Sequence, residues 1–235
     1  VRGLDSGLGE PEEHQVVPLQ ALLACSDPAA FDYVGKHRVL LAGRVGDDVF
    51  GTVVHQLLDR WGAGQLPAMV PGENTSYSIV LNPPGLDRML LHDTGASSRF
   101  SAGDVPWEAV RGARLFHLGY PPSIRRLFVN DGEELLRVLR LAKETGATTS
   151  VDTALPDPDA ESGRADWPGI LRRALPYVDI FLPSAAEALY MLDRPAYEAC
   201  RAASPDDPLA APDLAGHPVR VHARGVDARA AALDE

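Results

Sequence analysis

Long apolar runs are missing from this sequence. No stretch approaches the roughly eighteen consecutive apolar residues of a membrane-spanning helix, so no membrane segment is expected. The start, Val1-Arg2-Gly3-Leu4-Asp5, carries neither the pattern of a signal peptide nor an initiator methionine, which suggests a fragment or a processed chain. Cysteine is nearly absent. Cys25 and Cys200 are the only two among 235 residues, and no metal-ligand spacing flanks them. They read as free thiols in a reducing, cytoplasmic setting. The histidines form no H-x-H or H-x-x-x-H pair, so no zinc site is supported. Positive charge is in deficit, with 22 Lys and Arg against 33 Asp and Glu, a formal net charge of -11 and a pI of about 5.0. Nucleic acid and anionic membranes need a basic face and are excluded as partners. A phosphate-bearing small molecule remains compatible, because its site needs only local amides and a metal ion.

What is present is an ordinary globular composition, 45% hydrophobic and 23% charged, enough for one α/β domain. Residues 1–38 are polar and weakly patterned, with a short helix expected only over Val16–Ala24. Residues 39–192 alternate strands with helices. Strands are expected at Val39–Ala42, Ser76–Leu81, Arg88–His92, Arg114–Leu118, Thr148–Asp152 and Asp179–Leu182. Helices are expected at Asp48–Trp61, from Asp131 to about Glu144, at Trp167–Leu175 and at Ser184–Leu192. Asn82 to Asp87 joins two of the strands into a hairpin. The alternation predicts a parallel sheet with crossover helices. Residues 193–235 are expected to be loosely structured apart from a helix at Ala196–Ala203.

The most informative string is Gly43-Arg44-Val45-Gly46-Asp47-Asp48-Val49-Phe50-Gly51. An apolar strand runs into a glycine turn, one of two aspartates caps the next helix, and Gly51 permits close backbone packing. Val49, Phe50, Val53, Val54, Leu57, Leu58 and Trp61 form the helix's apolar set, and Gly62 is placed to end it. By itself this describes a strand-turn-helix joint with no ligand. A dinucleotide loop is disfavoured by the glycine spacing and by the two aspartates.

This string resembles the G-x-[VI]-G-x-D-x-[FI]-G signature of ribokinase-like (PfkB-type) carbohydrate kinases. Three further segments match in order. Glu73 to Leu81 is similar to the T-x-x-S-x-x-L strand, Thr94-Gly95-Ala96 to a glycine-alanine step before a helix, and Asp179 to Glu187 to D-[IL]-[VF]-x-[PL]-[NS]-x-x-E. The resemblance covers about residues 39–192. It implies a three-layer α/β sandwich around a mostly parallel sheet, incomplete at both ends, with a lid hairpin at about 76–92. It also implies ATP-dependent transfer of a phosphoryl group to a sugar hydroxymethyl, with Mg2+ and ATP as cofactors. Sugar and ATP are then the partners, and the hairpin is a candidate homodimer surface.

The implied nucleotide and phosphate region contains Asp152, Ser184 and Glu187, and Glu187 would organise Mg2+ indirectly, through water. Ser184-Ala185-Ala186-Glu187 is equally a capping box, which accounts for both residues without a metal. Asp152 is equally a loop anchor for Thr153. The implied substrate side comprises Thr75, Ser78, Gly119 and Tyr120, and Tyr120 before Pro121-Pro122 reads equally as loop packing. Two family segments find no match in the 235 residues: the G-G-x-x-x-N sugar-holding segment and the D-T-x-G-A-G-D segment with its catalytic base. No catalytic residue is therefore assigned, and a truncated, impaired kinase is expected. A non-catalytic α/β remnant or binding module is the alternative. A distant rival is the Asp93-Thr94-Gly95 loop as an aspartic protease site, which the βαβ pattern opposes. His117, inside an apolar strand, reads as a core histidine with one hydrogen bond.

Overall fold

The computed structural model describes residues 14–18, 38–60, 67–81 and 89–203. Five strands form the central sheet: β1 (His14–Pro18), β2 (Arg38–Ala42), β7 (Ala113–Gly119), β8 (Thr148–Asp152) and β9 (Ile180–Leu182). They stand in the order β2-β1-β7-β8-β9, and every pair is parallel. The alternation of strands and helices along the chain specified this architecture. Strand β1 corrects the sequence reading. Residues 16–18 of the expected Val16–Ala24 helix are strand, and 19–24 lie outside the described residues. The strand holds only two aliphatic residues, Val16 and Val17, among its five, too little for periodicity to register.

The period-2 alternation of a strand divides β2 between two cores. Val39 and Leu41 pack with Val45, Val54 and Leu58 on one side. Leu40 and Ala42 join Phe116, Leu118 and Val151 on the other. Helix α1 (Val49–Arg60) covers the first side. The second is filled from α2 (Trp107–Val110), α3 (Arg125–Phe128), α4 (Glu133–Glu144), α5 (Trp167–Ala174), α6 (Ala185–Leu192) and α7 (Arg194–Ala203). The result is a helix–sheet–helix sandwich.

Several expected boundaries shift for physical reasons. Helix α4 does not start on a cap from Asp131. Asn130, Asp131 and Gly132 all take left-handed conformations, and the helix begins at Glu133 with no side-chain cap. Asp166 does cap α5, accepting from the Gly169 amide at 3.1 Å. On α1 the apolar set is wider than the buried stripe. Gly51, Val54 and Leu58 face inward, whereas Val49, Phe50, Val53 and Leu57 are exposed. Trp61 and Gly62 lie outside the described residues, as do residues 82–88 of the hairpin loop and 204–235 of the C-terminal segment. Helix α7 extends the expected Ala196–Ala203 helix by one half-turn at its start, to Arg194.

Two small sheets sit beyond the end of β2. Strand β3 (Arg44–Gly46) pairs in parallel with β4 (Ala68–Val70). Strands β5 (Tyr77–Leu81) and β6 (Met89–Asp93) form the expected antiparallel hairpin, with Tyr77 opposite Asp93 and Leu81 opposite Met89.

Candidate functional site

The glycine-aspartate string builds a knot at the carboxyl end of β2. Asp48 is its centre. One carboxylate oxygen accepts the Gly51 amide at 2.8 Å and the Thr75 hydroxyl at 2.7 Å, and the other accepts the Thr75 amide at 2.8 Å. Thr75, 3% exposed, passes the connection on, because its Oγ1 accepts the Gly46 amide at 2.9 Å. The bonds from the Thr75 amide and hydroxyl, then from the Gly51 amide, hold the Asp48 carboxyl below the usual carboxylate range. Of the two aspartates, Asp48 is thus the cap. It ties α1 to the residue that opens the hairpin.

Gly46 serves proximity rather than a sharp turn. A Cβ there would lie 2.5 Å from Asn74 C and Thr75 N and closer still to Glu73 O. The other foot of the hairpin is fixed nearby. Gly95, at φ 43°, lies against the backbone of Asn74 to Ser76, the Ala96 amide reaches Asn74 O at 2.7 Å, and Ser76 and Ser97 hydroxyls meet at 3.1 Å. Asp93 accepts the Gly95 amide at 2.8 Å, a local turn on an antiparallel hairpin, and the parallel sheet leaves no place for a protease dyad. Because β2 ends at this knot, the hairpin is rooted at the carboxyl end of the sheet.

The same end gathers the residues singled out on the other strands. Gly119 pairs with Asp152 in the β7–β8 register, and Asp152 with Leu182 in β8–β9. Tyr120, just past Gly119, takes a left-handed conformation (φ 58°, ψ 56°), and its amide donates to Asp152 O at 3.1 Å. A non-glycine residue in this region costs on the order of 1 kcal/mol or more. Asp152 Oδ1 accepts the Thr153 amide at 2.8 Å, the loop-anchor role. Ser184 is the N-cap of α6, and the capping box is complete. The Ser184 hydroxyl accepts the Glu187 amide at 3.3 Å, and Glu187 Oε2 accepts the Ser184 amide at 2.8 Å.

Sequence reasoning missed Thr153, whose hydroxyl donates to Glu187 Oε2 at 2.7 Å. Its position directly after a strand-terminal aspartate was the available signal. The structure brings Gly119, Tyr120, Asp152, Thr153, Ser184 and Glu187 to one end of neighbouring strands. Thr75 is placed differently, inside the knot with its amide and hydroxyl both engaged. Ser78 stands on the hairpin, its hydroxyl 2.7 Å from His92 Nδ1. Glu187→Ala removes half of the capping box and should lower the stability of ligand-free protein by about 0.5–2 kcal/mol, read from urea unfolding.

His117 lies on β7 with Nδ1 3.0 Å from the Ser150 hydroxyl. Burial pushes its pKa down, and the Asp152 charge only partly restores it. A histidine held neutral in the fold binds fewer protons than in the unfolded chain. Its contribution is therefore full above the unfolded value of about 6.5 and fades as pH falls through that range. His117→Gln should flatten the slope of stability against pH between about 7 and 5, measured by denaturant midpoints.

No group of three or more His, Cys, Asp or Glu side chains that could hold a metal ion occurs among the described residues. Two carboxylates, Asp152 at the end of β8 and Glu187 in the first turn of α6, fit a magnesium ion only when phosphate oxygens and water complete its shell. No helix among the described residues is long and apolar enough to cross a membrane.

No protein-family model matches the sequence, and no curated protein matches it. Solved structures do. The chain is similar to fructokinase from Xylella fastidiosa with bound ATP, at TM-score 0.60 and 16% identity over 80% of this chain and 63% of that one. It is similar to ribokinase from Giardia lamblia, at TM-score 0.53 and 18% identity over 68% and 48%. A third likeness is to an E. coli structure described as a ribokinase II in complex with ATP and Mg2+, at TM-score 0.52 and 23% identity over 70% and 53%. These likenesses show a ribokinase-like fold. The chain spans between 48% and 63% of the length of these three structures.

Proposed function

We propose that this chain is a carbohydrate kinase of the ribokinase-like family, directing ATP-dependent phosphoryl transfer to a sugar hydroxymethyl. The observation that carries the reading is the convergence of Asp152, Ser184 and Glu187 with Gly119 and Tyr120 at the carboxyl ends of adjacent parallel strands, where ligands of open α/β sheets bind. The hairpin rooted at the same end supports it.

In this reading Asp152, Ser184 and Glu187 face the nucleotide phosphates, with Glu187 acting on Mg2+ indirectly. Mg2+ would neutralise phosphate charge when bound. Gly119 and Tyr120 contact the sugar, Ser78 approaches it from the hairpin, and Thr75 contributes by fixing the hairpin's foot. Tyr77, Ile79, Leu81, Met89 and Leu91 share one exposed hairpin face, since Ile79 pairs with Leu91 and Leu81 with Met89. That apolar face is the proposed homodimer surface.

The sequence has no match to the G-A-G-D segment, whose helix-opening amides and aspartate would serve the transferring phosphate and the sugar hydroxyl. Transfer is accordingly proposed to be impaired and Mg-ATP affinity weak, about 1 mM, or roughly 4 kcal/mol. Titration of Mg-ATP followed by amide NMR shifts, beside a sugar-phosphorylation assay, tests this. Shifts confined to residues near Asp152 and Ser184 with a millimolar constant are expected. No shift at 10-fold higher nucleotide overturns the nucleotide assignment, and a micromolar constant overturns the impairment.

A further inference from the structure

We infer that Thr153 is a positioning residue that sets the orientation of the Glu187 carboxylate in the phosphate region. The inference rests on the proposed function for its purpose and on geometry for its substance. Thr153 is 4% exposed, so its hydroxyl has little access to water and depends on a protein partner. That partner is Glu187 Oε2 at 2.7 Å, in the first turn of α6, 34 residues away in sequence.

The same oxygen already accepts the Ser184 amide at 2.8 Å. A capping box alone leaves the N3 carboxylate free to rotate about its own terminal bond, because one amide bond is satisfied by either oxygen. A second donor, coming from the end of β8, distinguishes the two oxygens. Oε2 is held twice, and Oε1 has no hydrogen bond to the described residues. Thr153 is itself fixed, since its amide is bound to Asp152 Oδ1 at 2.8 Å. Asp152, Thr153 and Glu187 thereby form one chain of hydrogen bonds linking the ends of β8 and α6. The unheld oxygen of Glu187 is the one offered to a hydrated cation or a phosphate-bound water.

Thr153 also borders a small apolar cavity with Pro121, Leu139, Val151, Trp167 and Phe181. A β-branched side chain suits that setting, with one branch polar and one apolar. Valine at this position keeps the shape and removes only the hydroxyl. Serine keeps the hydroxyl and removes only the methyl.

The experiment compares Thr153→Val and Thr153→Ser with the wild type in one set of NMR samples. It reads hydrogen exchange of the Ser184 and Glu187 amides without ligand, then shift perturbation on titrating Mg-ATP. The expected result is exchange at Ser184 faster by at least tenfold in Thr153→Val, with β7 amides unchanged. Mg-ATP affinity falls by at least fivefold in that variant. Thr153→Ser stays within twofold of wild type in both. Wild-type exchange in Thr153→Val overturns the inference, as does a Thr153→Ser variant that behaves like Thr153→Val. Should the wild type show no Mg-ATP perturbation, the proposed function fails on that result. The exchange comparison then decides the positioning role by the same thresholds.

Discussion

Gly46→Ala should cost about 3 kcal/mol or more and leave little folded protein at 37 °C. The cause is backbone against backbone. The added Cβ would sit 2.5 Å from Asn74 C and Thr75 N, with Glu73 O closer still, and none of these is the flexible end of a side chain. Overpacking of this kind ordinarily costs 1–3 kcal/mol when side chains can yield, and more when they cannot. The substitution also pushes Thr75 away from the Gly46 amide, breaking their 2.9 Å bond and disturbing both bonds from Thr75 to Asp48. Denaturant unfolding of Gly46→Ala beside Gly72→Ala separates the causes. Gly72 has a left-handed φ of 75° but nothing within 4 Å of an added Cβ, so it carries the conformational penalty alone, about 1 kcal/mol. Gly46 has no left-handed φ, so its loss is crowding alone, and a Gly46→Ala variant no less stable than Gly72→Ala would show that the backbone there yields cheaply.

Asp48→Ala is expected to destabilise by about 3 kcal/mol, since it strips an ionised acceptor from three donors, a bond to a charged group is worth about 1.5–3 kcal/mol net, and water reaching this half-buried site re-solvates part of what is lost. Asp48→Asn retains the shape but loses the charge and one acceptor, and about half that loss is expected. The pH dependence carries the sign. The Asp48 carboxyl titrates lower in the fold than in the unfolded chain. Its stabilisation is therefore full above about pH 4 and disappears as pH falls through the folded value. The wild type should lose stability on acidification from about pH 4 toward 2 more steeply than Asp48→Asn. Parallel acid slopes in urea midpoints would remove Asp48 from the account.

The sequence announced this knot without revealing its target. Spacing alone allowed Asp47 or Asp48 to cap α1, and it called for Gly51 as a close-packing position. That the cap would also grip Thr75, 27 residues on, is a tertiary fact with no local signature. The sheet was legible because β7, β8 and β9 alternate with helices whose apolar stripes are strong. Strand β1 was not, since a strand of five residues between two others draws its stability from neighbours rather than from its own side chains. On α1 the reading gathered seven apolar residues onto one face; of the six that are described, only Val54 and Leu58, with Gly51, face the core. Apolar type does not separate a buried stripe from one waiting for another surface. At the site, Ser184 and Glu187 were legible as a capping box and Asp152 as a strand end. Thr153 was not, because a threonine after an aspartate in a turn is unremarkable until its hydroxyl is seen to reach another element.

Among the described residues, the side chains of 77–81, 89 and 91–93 are exposed, and the hydrogen bonds that tie the hairpin to the rest of the protein lie at its feet, among Gly46, Asp48, Thr75, Ser76, Gly95 and Ser97. Attachment and content are thus encoded by different residues. Substitutions along residues 77–81 and 89–93 are free to alter what the arm touches while the scaffold's folding energy stays nearly constant, so the arm can diversify at a rate the socket cannot follow. The socket is the fixed part of an exchangeable tool, and a hairpin from another protein, spliced between Ser76 and Thr94, should seat on it in the same pose.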